Sequence, residues 1–265
     1  MRKRRKVISK NMIEVLDYHT SRTYRRNGKR VKKKSITPEA MKKRNEKAGE
    51  AMLRMLIDNN FTTNDCYLTL TYREQPETWD DAKKDIQNFI RRLKRRYKKL
   101  GKELKYIYVA EGKTRIHFHM IINNAELYSD EINELWPHGM HKLMLYQGRA
   151  EDAVKLARYF IKEKRSAYYS EKENTFKRRW NSSKNLEKPK VKTEILKPSE
   201  WREYIQPPNG YYVETDSVVE DVSEEGYPYR FYRLIKIEEV KSGITRNRNR
   251  HRDSARNGNS FSMRN

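Results

Sequence analysis

The sequence predicts an α+β protein in which an antiparallel sheet of about five strands is flanked by helices. Segments rich in β-branched and aromatic residues alternate with amphipathic helical segments, and two of the predicted strands follow one another across a short turn. Such a hairpin does not fit a strictly alternating β-α-β order. The length of 265 residues suits one main domain with appendages.

Hydrophobic periodicity and capping residues predict four helices. The most periodic run has apolar residues at every third or fourth position and stops at Gly101. Another helix begins at Thr37 as N-cap, with Pro38 as its first helical residue. The predicted helices cover residues 37–60, 79–100, 129–136 and 151–165.

Four strands accompany these helices, and each has the β-branched and aromatic character typical of strands. The predicted strands cover residues 66–72, 104–111, 115–122 and 141–147. Residues 166–198 are polar and basic, which predicts loops with short strands. Residues 211–240 are acidic and Tyr-rich and predict an additional hairpin.

The charge balance indicates a polyanionic partner. Lys and Arg number 60 against 36 Asp and Glu, a formal net charge of +24 at pH 7. Such an excess repels itself unless a polyanion such as nucleic acid neutralises it. The excess is concentrated at the two ends of the chain. We expect a basic N-terminal arm, a main domain, an accessory Tyr-rich hairpin region and a disordered basic tail, over residues 1–36, 37–200, 201–243 and 244–265.

Cysteine usage and hydropathy indicate a soluble protein of a reducing compartment. Cys66 is the only cysteine, which excludes a disulfide framework and a Cys-rich zinc site. No segment approaches the roughly 18 apolar residues that span a bilayer, and no amphipathic or lipidated anchor accompanies the basic ends. We expect a cytoplasmic protein that has no membrane partner.

Two histidines, His117 and His119, stand two residues apart in the predicted strand RIHFHMII. Alternate side chains of a strand share a face, so both imidazoles project together and could chelate one metal ion. The alternative is a pair of histidines that are merely hydrogen-bonded on a half-buried strand. Glu111 ends the preceding strand. With a three-residue turn it would lie opposite Arg115, diagonal to His117 and on the same face, as a third ligand.

A candidate nucleophile comes from the tyrosines that have a lysine three residues later. Tyr159 and Lys162 fit this pattern within a predicted amphipathic helix, where i,i+3 spacing places them side by side. Tyr169 and Lys172 fit it too, but in a polar stretch without an apolar framework. A tyrosine in an apolar helix more often packs than reacts, so Tyr159 gains weight only in company with the candidate ligands.

In chain order the segments YLTLTY, HFHMII and ARYFIKEK resemble motifs I, II and III of the HUH endonucleases, more closely the rolling-circle replication initiators (Rep proteins) of phages and plasmids. The segment SSKNLEKP after the third motif is similar to stretches of phage and Gram-positive plasmid members. The resemblance covers roughly residues 61–189. It implies an RRM-like sheet and an endonuclease domain over residues 37–200.

The resemblance implies an enzyme that nicks and rejoins single-stranded DNA at a replication origin. Tyr159 would form a 5′-phosphotyrosyl intermediate with help from Lys162, and the histidine pair with Glu111 would bind a divalent metal, Mg²⁺ or Mn²⁺. Lys155 and Glu163 occupy the positions one turn from Tyr159, which implies a single-tyrosine enzyme. The implied partners are the nick site in single-stranded DNA and, in the cytoplasm of a bacterial host cell, the host helicase and polymerase.

Two basic stretches with interleaved aromatic residues, FIRRLKRRYKK and FKRRWNSSKN, are candidates for DNA binding. The alternative for any one of their residues is a solvated basic face. The candidate DNA-binding residues are Arg91, Arg92, Arg95, Arg96, Arg178, Arg179 and Trp180.

Two other functions are compatible with these residues. A tyrosine transposase would use the same chemistry, and an assay that joins donor to acceptor DNA would separate it from an initiator. A non-catalytic nucleic-acid-binding protein on an RRM-like sheet would use the histidines only structurally. Such a protein would form no covalent adduct with DNA.

Overall fold

The computed structural model confirms the α+β class and contains, within the residues it describes, two five-stranded antiparallel sheets and four helices. One sheet corresponds to the predicted sheet, and the other is additional. The structure describes residues 1–19, 37–112, 115–166, 176, 178, 180–197, 200–201, 204–223 and 226–237. In this part of the chain, none of the helices combines the length and the apolar character needed to cross a membrane.

The helices and strands follow the predicted order. The helices are α1 (Pro38–Asn60), α2 (Trp79–Lys99), α3 (Ser129–Leu135) and α4 (Ala150–Ser166). The strands are β1 (Arg2–Ile8), β2 (Met12–His19), β3 (Cys66–Thr71), β4 (Tyr106–Glu111), β5 (His117–Ile122), β6 (His141–Leu145), β7 (Asn181–Ser182), β8 (Lys190–Ile195), β9 (Tyr211–Val222) and β10 (Pro228–Lys236). The four predicted helices, the four predicted strands and the Tyr-rich hairpin are thus confirmed, with their ends shifted by a few residues.

The central sheet has the strand order β6-β3-β5-β4-β7 and is covered on both faces. Alternate residues of each strand point to opposite faces. Phe118 and Met120 pack with α2 and α3 on one face, whereas Val109 and Ile121 pack with α1 and α4 on the other. Burial on both faces fixes the strand register, because a shift by one residue would move every side chain to the wrong layer.

Helix α2 is bounded as the sequence predicts. The side chain of its N-cap residue, Thr78, accepts a hydrogen bond from the Asp81 amide. Gly101 follows the helix with a φ of +68°, in the left-handed region that glycine adopts without strain. The helix buries a continuous apolar face against the sheet, formed by Ala82, Ile86, Phe89, Ile90, Leu93 and Tyr97.

The N-terminal residues form part of a second sheet, which we name the terminal sheet, with strand order β8-β1-β2-β10-β9. The expectation of a basic arm is therefore corrected for residues 1–19, whereas residues 20–36 lie outside the described part of the chain. The basic side chains of β1 belong to a paired strand. Arg4, for example, donates two hydrogen bonds of 2.7 Å to Asp17 of β2. Strand β2 lies at the centre of the sheet, where Val15 is buried.

Buried polar contacts join the terminal sheet to α1. Arg54 of α1 donates a hydrogen bond to Glu14 of β2, and both side chains are buried. Asp58 of α1 accepts hydrogen bonds from the Ser9 hydroxyl (2.5 Å), the Asn11 backbone amide (2.8 Å) and the Asn11 side-chain amide (3.0 Å). The turn between β1 and β2 is therefore anchored to a helix that also covers the central sheet.

The remaining regional expectations concern the second half of the chain. Residues 166–198 contain the short strands β7 and β8, although residues 167–175 lie outside the described part. The hairpin of β9 and β10 pairs with β2, so the expected accessory region of residues 201–243 shares its sheet with the N-terminal strands. The expected disordered tail, residues 244–265, also lies outside the described residues.

We predict that Asp58→Ala lowers the free energy of unfolding by about 3 kcal/mol, because the buried donors of Ser9 and Asn11 lose their acceptor. Asp216→Ala is the matched control, since Asp216 of β9 is exposed, and it should change this free energy by less than about 0.5 kcal/mol. Urea denaturation followed by circular dichroism measures both values. Equal stabilities of the two variants would contradict the anchoring role of Asp58.

Candidate functional site

Three candidate ligands lie on adjacent strands at one end of the central sheet. Glu111 ends β4, His117 begins β5, and the two residues are direct partners in the antiparallel register. His119 follows two residues along β5 and projects to the same face. The three side chains converge as the sequence predicts. The connection between the strands has five residues instead of three, so Glu111 faces His117 and not Arg115.

The ligand atoms are close enough to share one ion. Glu111 Oε2 lies 3.0 Å from His117 Nε2 and 3.4 Å from His119 Nε2, and the three ligand atoms lie within 4.8 Å of one another. Glu111 and His119 are buried, with 9% and 5% of their surface exposed, while His117 is partly exposed. This group could hold a divalent metal ion and leave positions open for a substrate.

A hydrogen bond at the far nitrogen of His117 defines which lone pair faces Glu111. His117 Nδ1 lies 3.0 Å from the backbone carbonyl oxygen of Arg115. A carbonyl only accepts hydrogen bonds, so Nδ1 carries the proton and Nε2 of the neutral ring does not. Nε2 then points at a carboxylate oxygen 3.0 Å away, and two such acceptors repel unless a cation or a proton lies between them. The arrangement therefore fits a cation.

The surroundings of His119 keep its imidazole neutral and oriented. Burial, reinforced by the neighbouring His117, lowers the pKa of His119 to about 4, so the ring is uncharged at pH 7 and available to a metal. The hydroxyls of Tyr67 and Thr69 lie 2.8 and 3.3 Å from His119 Nδ1. The Tyr67 ring also stacks on the imidazole, with the centroids 6.0 Å apart.

Sequence reasoning missed Tyr67 and Thr69 as members of the site. Alternation along CYLTLTY places both side chains on one face of β3. Only the pairing of β3 with β5, in which Thr69 is the direct partner of His119, brings that face to the histidines. This alternation is the signal that could have marked the two residues, once the order of the strands was known.

Helix α4 brings Tyr159 to the same site. Its hydroxyl lies 3.0 Å from His119 Nε2, and the two rings meet edge to face. Ala157 and Phe160 are buried against the sheet, which directs the partly exposed Tyr159 at the histidines. Lys162 is exposed on the same helix, and its side chain forms no hydrogen bond or ion pair with another described residue.

The predicted DNA-binding residues of α2 do not line this site, because α2 covers the opposite face of the central sheet. Arg92 and Arg96 are bound to α3 through hydrogen bonds of 3.0 and 2.7 Å, so both stabilise the contact between the two helices. Arg91 and Arg95 are exposed and free of such contacts with described residues.

The remaining candidates lie after α4. Arg178 is exposed, and Trp180 packs, partly buried, against the cluster formed by α1 and α4. Arg179 lies outside the described residues, as do Tyr168 and Tyr169, the other tyrosines near the third motif. No structural statement about a second nucleophile follows for those positions.

Comparison with known proteins indicates a role in DNA replication. Residues 65–164 match the family model described as Replication-associated protein ORF2. The matched segment runs from β3 into α4 and contains Glu111, His117, His119 and Tyr159. Neither a curated protein nor a solved structure matches the chain. Over its central sheet, the chain is therefore similar to a family of replication-associated proteins.

Proposed function

We propose that the protein is a replication initiator that nicks and rejoins single-stranded DNA through a covalent tyrosine intermediate. The observation that carries the proposal is the Tyr159 hydroxyl, which lies 3.0 Å from His119 Nε2 within the group that could bind a metal. A nucleophile beside a cation site suits attack on a phosphodiester. The match of residues 65–164 to replication-associated proteins supports DNA as the substrate.

Glu111, His117 and His119 would hold the divalent ion, and their mixed imidazole and carboxylate donors suit Mg²⁺ or Mn²⁺. When bound, the ion would act as a Lewis acid on the scissile phosphodiester and offset the charge on its oxygens. His119 Nε2 cannot be a ligand and accept the Tyr159 hydrogen bond at the same time. Tyr159 must therefore give up that bond once Nε2 is a ligand, which frees its hydroxyl for the substrate.

In the proposed reaction, the Tyr159 oxygen loses its proton and forms a bond to the scissile phosphorus. The bond from that phosphorus to the 3′ oxygen of the preceding nucleotide breaks, and this oxygen takes up a proton. The products are a 5′-phosphotyrosyl link and a free 3′ hydroxyl, which a polymerase could extend and which could later attack the link to rejoin the strand. One phosphoester replaces another, so the exchange needs no ATP. Lys162 would offset the negative charge that develops on the tyrosine oxygen.

Tyr67 and Thr69 would position His119 without reacting. Their hydroxyls contact Nδ1, the nitrogen that points away from Glu111. Partners at the far nitrogen of a metal-binding histidine fix its tautomer and its ring orientation. We therefore assign Tyr67, whose contact is the shorter, as a positioning residue for the metal group.

The proposed substrate is single-stranded where it reaches Tyr159, because a side chain on a helix cannot approach a phosphate that is shielded within a duplex. We assign the activity to the domain of residues 37–200. A host polymerase would use the free 3′ hydroxyl, and a host helicase would open the duplex, since no nucleotide-binding loop occurs in the sequence. With these partners, the proposed reaction would take place in the cytoplasm of a bacterial host.

We predict that Tyr159→Phe abolishes the covalent adduct with DNA while DNA affinity stays within severalfold, because the change removes an oxygen and no charge. The full chain is incubated with Mn²⁺ and single-stranded oligonucleotides from its own replicon, and denaturing electrophoresis detects the adduct. Tyr128→Phe is the control, since Tyr128 is exposed outside the site. An adduct that persists in Tyr159→Phe and disappears in Tyr169→Phe would identify a different nucleophile.

We predict that His117→Ala and Glu111→Gln each weaken Mn²⁺ binding by more than about tenfold and abolish cleavage, because each removes a proposed ligand. Isothermal titration calorimetry measures the affinity. His141→Ala is the matched control, because both ring nitrogens of His141 are hydrogen-bonded away from the site. Unchanged Mn²⁺ binding in the double variant His117→Ala/His119→Ala would end the assignment of these ligands.

We predict that Tyr67→Phe weakens Mn²⁺ binding by about tenfold without unfolding the chain, because it removes only the hydroxyl that contacts His119. Tyr72→Phe is the matched control, since its hydroxyl bonds to Asp85 among residues of the opposite face. The same titration measures both variants, and thermal unfolding checks their folds. Equal losses of affinity in the two variants would argue that Tyr67 acts only through general stability.

A further inference from the structure

A groove runs along α2 on the face of the central sheet that lies opposite the candidate site. Two hollows of about 520 and 400 Å³ share the lining residues Gln87, Tyr108, Arg178 and Asn181. They therefore form one continuous groove, which we name the α2 groove. One wall is α2, and the other is formed by residues 176–182, which include the edge strand β7.

The α2 groove is rich in cations. Lys83, Arg91 and Lys94 line it from α2, and Arg178 lines it from the other wall. Asp80, at one end, is the single carboxylate among the described lining residues. None of the four cations forms an ion pair within the described part of the chain. Cations that face a groove without a counter-charge favour an anionic ligand.

Aromatic side chains lie between these cations. Tyr106 and Tyr108 stack with their centroids 6.2 Å apart, and Phe176 meets Tyr108 edge to face. Tyr106 is partly exposed, so part of its ring is open to a ligand. Burial raises the pKa of both tyrosines, so their hydroxyls are neutral at pH 7 and do not repel phosphate. Cationic walls with interleaved aromatics suit single-stranded nucleic acid.

We propose that the α2 groove binds a segment of single-stranded DNA at a distance from the nicking site. The cations would contact phosphates, and Tyr106 would stack on a base. The lining stretch of α2 from Asp80 to Lys94 is about 21 Å long at 1.5 Å per residue. This length accommodates several phosphates, which are about 3.4 Å apart along each strand of B-form DNA and farther apart in an extended strand.

One end of the groove lies beside the candidate site. Trp79, the first residue of α2, meets Phe176 edge to face with the centroids 5.9 Å apart. A Cβ atom on Gly112 would lie 2.3 Å from the Trp79 ring, so glycine is required for this close approach. Gly112 directly follows Glu111. A DNA strand that leaves the site around the end of β4 therefore reaches the groove at its Trp79 end.

Two double variants of the full chain, matched in residue type and in helix, test the proposal. Arg91→Ala/Lys94→Ala removes two cations of the groove, and Arg95→Ala/Lys99→Ala removes two exposed cations of α2 outside it. Fluorescence anisotropy with a labelled oligothymidylate of about 16 nucleotides, in EDTA and over a range of salt concentrations, measures binding without cleavage. Thermal unfolding verifies that both variants are folded.

We expect the groove variant to lose at least about tenfold in affinity. Its slope of log affinity against log salt should become shallower by about 1.4, the contribution of two phosphate contacts to a single strand at about 0.7 each. The control variant should change little in either quantity. Equal losses in the two variants would overturn the proposal, because they would reflect general charge attraction. Tighter binding of a duplex or of oligouridylate than of oligothymidylate would overturn the choice of single-stranded DNA.

The choice of DNA rests on the proposed function, and the outcomes separate the two proposals. Binding in EDTA requires neither the metal group nor Tyr159. Groove-dependent binding by a chain that forms no adduct would refute the nicking function alone. Adduct formation by a chain whose groove variant binds DNA normally would refute the α2 groove alone.

Discussion

The direct pairing of Glu111 with His117 across β4 and β5 is the constraint on which the candidate site depends. A slip of one residue would turn both histidines into the apolar layer beneath α2 and leave Phe118 at the site. The register is held by burial on both faces, with Phe118 packed on one side and Val109 on the other. The interactions that stabilise the central sheet therefore also set the distances between the ligand atoms.

The helices on the site face of the sheet connect this constraint to the rest of the molecule. Helix α4 packs through Ala157 and Phe160 and thereby carries Tyr159 to the histidines. Helix α1 packs beside α4, and its Asp58 is bonded to the turn between β1 and β2. The terminal sheet thus supports the layer that delivers the nucleophile, although its own residues are not part of the site.

Local patterns predicted most of the central domain, while pairings between distant segments were not predictable. Periodicity and caps defined the helices, and the convergence of Glu111 with the histidines followed from parity, since connections of three and of five residues both keep the side chains on one face. The basic strand β1 resembled an arm because its partners, β2 and β8, include a strand that lies far away in the sequence. The role of Tyr67 and the layer occupied by Arg91 depended likewise on strand order and on the face that α2 covers.

His119 joins three elements of the site through one imidazole. Its ring lies on β5, its Nδ1 contacts the hydroxyl of Tyr67 on β3, and its Nε2 contacts the hydroxyl of Tyr159 on α4. A neutral imidazole carries one proton. When Tyr159 donates to Nε2, this proton lies on Nδ1 and is accepted by an oxygen of β3. A ligand at Nε2 therefore displaces only Tyr159 and leaves the contact that orients the ring. The side chain that is released is the one that must move toward a substrate, and the side chain that is retained keeps the metal group in place.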